Sequence, residues 1–196
     1  MNVLARFTKK DLWSIPNILC YIRLLLIPAF VVLYIKASDP KEYLQAAAVV
    51  MVSGITDFLD GFIARTFHMI TDLGKLIDPL ADKLTQASLI FVLVVKIKWM
   101  FILLILFVIM QLFMLVAGLY MLRKGKRLNG AKWFGKVSTT VFYATMLVLV
   151  AVPSPTLGTT ATNILLMVCG AFLCLSFLLY IKEYIMMYRT IRPEEE

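Results

Sequence analysis

Several apolar runs of about 20 residues follow one another along this chain, and a helix needs a run of that length to cross the roughly 30 Å hydrocarbon core of a bilayer. A chain built this way folds as a bundle of membrane helices. Composition agrees: 61% of the 196 residues are hydrophobic, only 16% are charged and the mean hydropathy is +0.87, values outside the range of soluble globular domains. We expect one all-α membrane domain covering residues 1–196, with six transmembrane helices at about 14–35, 42–66, 72–95, 98–122, 132–152 and 160–182.

The first run, Ile15 to Ile35, exceeds the usual apolar core of a signal peptide and ends without a small-residue cleavage site, so it is expected to be retained. Cys20, Cys169 and Cys174 lie in apolar stretches without C-x-x-C spacing or a nearby histidine cluster. They are expected to be small buried thiols, in neither a disulfide framework nor a zinc site. The net charge of +8 would suit nucleic acid, but the basic residues gather at the ends of apolar spans, as membrane topology requires, and no nucleic-acid partner is expected. With the N-terminus in the cytoplasm, that side holds Arg6, Lys9, Lys10, the Arg123–Lys136 basic cluster, Lys182, Arg189 and Arg192, whereas the other side holds Lys36, Lys41, Lys96 and Lys98. Both termini are therefore expected in the cytoplasm, the acidic Glu194–Glu196 tail being a solvated end. Trp99 and Trp133, at span ends, read as interface anchors.

Charged residues inside the spans carry the chemical information. Asp57, Asp60, Gly61 and Ala64 share one face of the second helix, as Gly74, Asp78 and Asp82 share one face of the third. The loop between them, around Phe67 to Thr71, is short, so four carboxylates are expected to face one another across a tight antiparallel hairpin. His68 in that loop is expected to be exposed, and Pro79 either to kink the third helix and re-aim Asp78 and Asp82 or to be a tolerated membrane proline. Each acid inside a bilayer costs at least about 2.5–3.5 kcal/mol, so four together call for cations or water. Arg65, Lys75 and Lys83 offer a purely structural neutralisation, but such a network has no use for glycine and alanine on the same face. Small residues there let a bulky group lie against the helix backbone. Clustered Asp oxygens suit hard ions such as Mg²⁺ and Mn²⁺. Two such ions about 3.5–4 Å apart can clamp a pyrophosphate for in-line displacement. At 1.5 Å per residue the acids lie about 9–15 Å from the cytoplasmic helix ends, where a soluble headgroup and lipid tails meet.

The pattern D-x-x-D-G-x-x-A-R, eight residues, then G-x-x-x-D-x-x-x-D, running from Asp57 to Asp82, resembles the signature of the CDP-alcohol phosphatidyltransferase family at every defined position. The segments Ser14-Ile-Pro-Asn17 and Gly135-Lys136-Val-Ser-Thr139 extend the resemblance over most of the chain. It implies transfer of a phosphatidyl group from CDP-diacylglycerol to an alcohol, with release of CMP, two divalent cations (Mg²⁺ or Mn²⁺) and an active site in the cytoplasmic half of a plasma-membrane protein. It implies that Asp57, Asp60 and Asp78 are metal ligands and that Asp82 is both ligand and general base on the acceptor hydroxyl. Gly61, Ala64 and Gly74 would admit the cytidine nucleotide, Arg65 would hold its phosphate, and the family resemblance further implies a homodimer among membrane lipids. Asn17 and Arg23, in the cytoplasmic half of the first span, are expected to line the same substrate cavity.

The expected acceptor is glycerol 3-phosphate, because Lys136 and Lys132 would attract a phosphate-bearing alcohol. One departure counts against it: family members using that acceptor usually carry an Arg-Glu pair in the middle of the fourth span, where this chain has Gln111-Leu112. The stretch Met114 to Tyr120 is also similar to family members that use phosphatidylglycerol, and inositol phosphate is a further alternative. From another class, a cation transporter would also place acids in the membrane, but it predicts polar sites through the full depth of the bundle, and here the last three spans hold no acid before Glu183. A structural or adaptor protein gives no reason for buried Asp residues at fixed spacing.

Overall fold

In the computed structural model, residues 13–190 are described except 70, 72 and 126–131, together with the side chains of Lys75, Leu76 and Ser154. Arg6, Lys9, Lys10, Lys126, Arg127, Arg192 and the acidic tail, on which the orientation reading partly rests, lie outside the described residues, as does the Lys75 side chain. The described residues form seven helices: α1 Ile15–Lys36, α2 Pro40–Thr66, α3 Gly74–Lys96, α4 Met100–Arg123, α5 Trp133–Ala151, α6 Ser154–Leu157 and α7 Thr159–Arg189. Five of them, α1, α2, α4, α5 and α7, are long and apolar enough to cross a membrane. The sixth long helix, α3, occupies the expected third span but carries Asp78, Asp82, Lys83 and Lys96, so apolarity alone does not make it a crossing helix. The short α6 falls where a plain outer loop was expected. Pro155 near its start suits the first helical turn, where a missing N–H leaves no bond unmade.

The helices sort into two units, residues 1–93 with 147–153, and residues 94–146 with 154–196. In the first, α1 and α2 pack along their length as a hairpin joined by Ala37–Asp39. The turn is closed by Glu42, whose Oε2 accepts the Ser38 and Asp39 N–H groups (2.6 and 3.2 Å), while Pro40 opens α2 with a preset φ. Beside this turn Tyr34 packs edge-on against Tyr43, ring centres 5.4 Å apart. Buried Ala46, Ala47, Val50 and Ser53 recur at helical spacing on α2, and such small residues let helices in lipid approach closely. α2 ends where His68 takes a positive φ of 54° and the Met69 N–H reaches back to the Ala64 carbonyl (3.0 Å), a helix end that turns the chain toward α3. His68 is exposed, as expected. α3 continues through Pro79, exposed on its surface, and buries Ala81, Thr85, Leu89 and Leu93 at three- to four-residue intervals.

In the second unit α4 and α7 pack through aromatic contacts, with Phe113 edge-on to Phe177 (5.3 Å) and to Tyr184 (5.8 Å). Gly118 lies where an added Cβ would meet the Tyr184 hydroxyl at 3.5 Å. α5 joins α7 through Phe134 and Tyr180, whose ring centres are 4.8 Å apart. At Gly135 an added Cβ would collide with the Tyr180 hydroxyl. Trp99 and Trp133 stand exposed at the starts of α4 and α5, as interface anchors should.

Candidate active site

The acids of α2 and α3 come together, with Asp60 and Asp78 ligand atoms within 4.8 Å of one another, and α1 adds to them through Asn17, Cys20 and Arg23, which lie three residues apart on one buried face. Arg23 is the organising group. Its Nη1 is 2.6 Å from Asp57 Oδ1 and 3.5 Å from Asp82 Oδ1, and its Nη2 pairs with Asp60 Oδ2. The Cys20 thiol donates to Asp78 Oδ1 and lies 3.6 Å from Asp60 Oδ2. One guanidinium and one thiol thus bridge two carboxylates from α2 and two from α3.

The depths of these acids differ in a useful way. The Asp60 side chain is 4% exposed, whereas Asp57 and Asp82 are 48% and 39% exposed and open toward any bound group. Among the described residues Arg23 is the one cation within ion-pair distance of this set. Lys83 instead hydrogen-bonds Gln86 (3.4 Å), and the Arg65 guanidinium lies over Gly61. Among the described residues, four carboxylates face one guanidinium, an excess of negative charge that fits added cations. The ligand atoms of Cys20, Asp60 and Asp78 all lie within 4.8 Å of one another, a spacing that one metal ion can bridge.

Next to the acids is a cavity of about 190 Å³ lined by Pro16, Asn17, Gly61, Ala64, Arg65, Met69, Thr71, Gly74 and Asp78. It contains every residue expected to hold the nucleotide except Arg23. The Arg23 guanidinium is 1% exposed and pairs with Asp57 and Asp60 beside that cavity. Gly74 is required by packing: an added Cβ would meet Asn17 Oδ1 at 2.7 Å and Thr71 Oγ1 at 3.0 Å. Asn17 Nδ2 donates to Thr71 Oγ1 (3.1 Å), which also accepts the Gly74 N–H (2.9 Å), so Asn17 ties the loop and the start of α3 to α1 as well as lining the cavity.

Two further expectations change. Cys20 is not a plain core thiol but part of the acid cluster; its three-residue spacing from Asn17 and Arg23 puts the three on one face, and the fold alone brings that face to the acids. Cys169 is buried as expected, but Cys174 is exposed, on the long apolar helix α7. Lys132 and Lys136 belong to the second unit. Lys132 pairs with Glu183 (3.2 Å), and Lys136 is exposed on the first turn of α5. Gln111 Nε2 is buried with no hydrogen-bond partner among the described residues.

A carboxylate cluster beside a cavity floored by small residues, set among α1, α2 and α3, is the arrangement of a candidate active site on a protein with membrane-length apolar helices. The sequence model of CDP-alcohol phosphatidyltransferase matches residues 13–187, and the chain belongs to that family. It is similar to the CDP-diacylglycerol--glycerol-3-phosphate 3-phosphatidyltransferase of Rickettsia bellii, at 36% identity over 83 residues, covering 42% of this chain and 45% of that protein. The protein of that name in Bacillus subtilis is 31% identical over 94 residues, covering 42% of this chain and 49% of the relative. A cardiolipin synthase (CMP-forming) / mitochondrial hydrolase fusion protein of Schizosaccharomyces pombe is 36% identical over 94 residues, covering 47% of this chain and 15% of that protein. The chain thus spans about half the length, or less, of the relatives it matches.

Proposed function

We propose that this protein transfers a phosphatidyl group from CDP-diacylglycerol to glycerol 3-phosphate, releasing CMP and forming phosphatidylglycerophosphate. The observation that carries the reaction class is the convergence of Asp57, Asp60, Asp78 and Asp82 beside a cavity containing Gly61, Ala64 and Gly74. In this reading the four carboxylates would hold two divalent cations, Mg²⁺ or Mn²⁺, which when bound would supply charge neutralisation at the pyrophosphate. Gly61, Ala64 and Gly74 leave room for the cytidine nucleotide against the backbone, and Arg65, at the cavity wall, holds its phosphate. Asp82, partly exposed, accepts the proton of the acceptor hydroxyl as its oxygen bonds to the lipid-side phosphorus and the bond to CMP breaks. Arg23 keeps the carboxylates at working distances. α3 completes a six-span bundle in the plasma membrane, the termini and the active site face the cytoplasm, and the enzyme works as a homodimer.

The choice of acceptor follows the names of the bacterial relatives and the positive charge of Lys136, with Lys132 beside it. The unpartnered Gln111 amide, where an Arg-Glu pair is usual among glycerol-3-phosphate users, favours phosphatidylglycerol as a second reading. Purified protein given CDP-diacylglycerol, metal and each acceptor in turn separates them by CMP release. Glycerol 3-phosphate is expected to support turnover, and Lys136→Ala to raise its KM. Release with phosphatidylglycerol alone would replace the acceptor and leave the reaction class standing.

A further inference from the structure

The Cys20 thiol is fully buried, yet its neighbours are carboxylates rather than the aliphatic wall that usually surrounds a core cysteine. It lies 3.6 Å from Asp60 Oδ2 on α2 and hydrogen-bonds Asp78 Oδ1 on α3, and the three donor atoms fit within 4.8 Å. A tetrahedral cation with a sulfur at about 2.3 Å and an oxygen at about 2.1 Å places those two atoms roughly 3.6 Å apart, the separation found between Cys20 and Asp60; Asp78 Oδ1, 2.5 Å from the thiol, would have to move out by about 1 Å, and the Arg23 guanidinium would have to yield Asp60 Oδ2. Hydroxyl or carboxylate oxygens alone would suit Mg²⁺, whereas sulfur is a soft donor that favours zinc-group ions.

We infer that Cys20 is a third donor, with Asp60 and Asp78, of one cation position, and that it makes this position select a thiophilic divalent cation of the Zn²⁺ and Cd²⁺ class over Mg²⁺. The inference rests on the two-cation reading of the site, which it deepens by assigning metal preference to one residue. Binding through sulfur displaces the thiol proton to water. A thiophilic ion captured there occupies a ligand set the reaction needs, so it competes with the activating cation.

Cd²⁺ is the probe, because its bond to a thiolate has an ultraviolet charge-transfer band independent of turnover. Titrating the full chain in detergent micelles should raise this band, and it should vanish in Cys20→Ser while persisting in Cys169→Ser and Cys174→Ser. Asp60→Asn and Asp78→Asn should each weaken Cd²⁺ binding at least tenfold. In Cys20→Ser the ratio of Cd²⁺ to Mg²⁺ affinity should fall at least tenfold. A band that survives in Cys20→Ser, or no band in the wild-type chain, overturns the proposal. Should Cys20→Ser fail to fold, X-ray absorption of Cd²⁺ bound to Cys174→Ser decides: a sulfur neighbour lost on adding Asp60→Asn supports the site, and oxygen neighbours alone refute it. Failure of CMP release with intact Cd²⁺ binding would instead sink the transferase reading and spare this one.

Discussion

Arg23 and Gly74 carry the sharpest single-residue consequences. Arg23 lies buried between three carboxylates, and removing one partner of a buried ion pair costs about 3–5 kcal/mol. Only the Arg23–Asp60 pair is fully enclosed, so Arg23→Gln is expected at the low end of that range, with a clear drop in Tm in chelator that added Mn²⁺ largely reverses. No recovery with metal would mean that the acids are not a cation site. Asp57→Asn, Asp60→Asn, Asp78→Asn and Asp82→Asn keep side-chain shape while removing charge. Each should lower metal-dependent CMP release at least about a hundredfold, with the protein still eluting as a folded species. Gly74→Ala drives a methyl into Asn17 and Thr71, so it should cost activity through a displaced loop even though alanine is the better helix former. The acids were legible in the sequence because their spacing repeats the helical period. Cys20 was not, because nothing local distinguishes a thiol facing aspartates from one facing leucines.

Among the elements, α7 departs furthest from its expected span, running to Arg189, seven residues past the expected end at 182. Its 31 residues rise about 46 Å at 1.5 Å each, well beyond a hydrocarbon core of about 30 Å. Hydropathy marks where lipid ends, but the helix continues because Glu183 meets Lys132, Tyr184 packs on Met121 and Tyr188 lies beside Tyr120. The α5–α7 contact at Gly135 and Tyr180 leaves no room for a methyl group, so Gly135→Ala should destabilise the second unit by about 1–3 kcal/mol, read as a lower Tm in detergent. Glu183→Gln should cost less than about 1 kcal/mol, since that pair is partly solvated.

For the whole molecule, the Lys and Arg asymmetry predicts that a cysteine placed at Thr159 reacts with a membrane-impermeant reagent from outside cells, and that one at Lys124 does not. The reverse pattern would turn the site to the outer face. Stripping divalent cations should abolish CMP release, and restoring Mg²⁺ or Mn²⁺ should recover it. Long apolar runs made a helical membrane protein unavoidable, since a bilayer offers the backbone no other partner. The motif from Asp57 to Asp82 likewise announced its family before any contact was known. Periodicity reports which residues share a face of one helix, but not which helix that face meets. Only the packing of α1 against α2 and α3 placed Arg23 among the acids and set Cys20 beside Asp60 and Asp78. Those contacts join residues about 40 to 60 positions apart, and their energies depend on side-chain distances that no local pattern encodes.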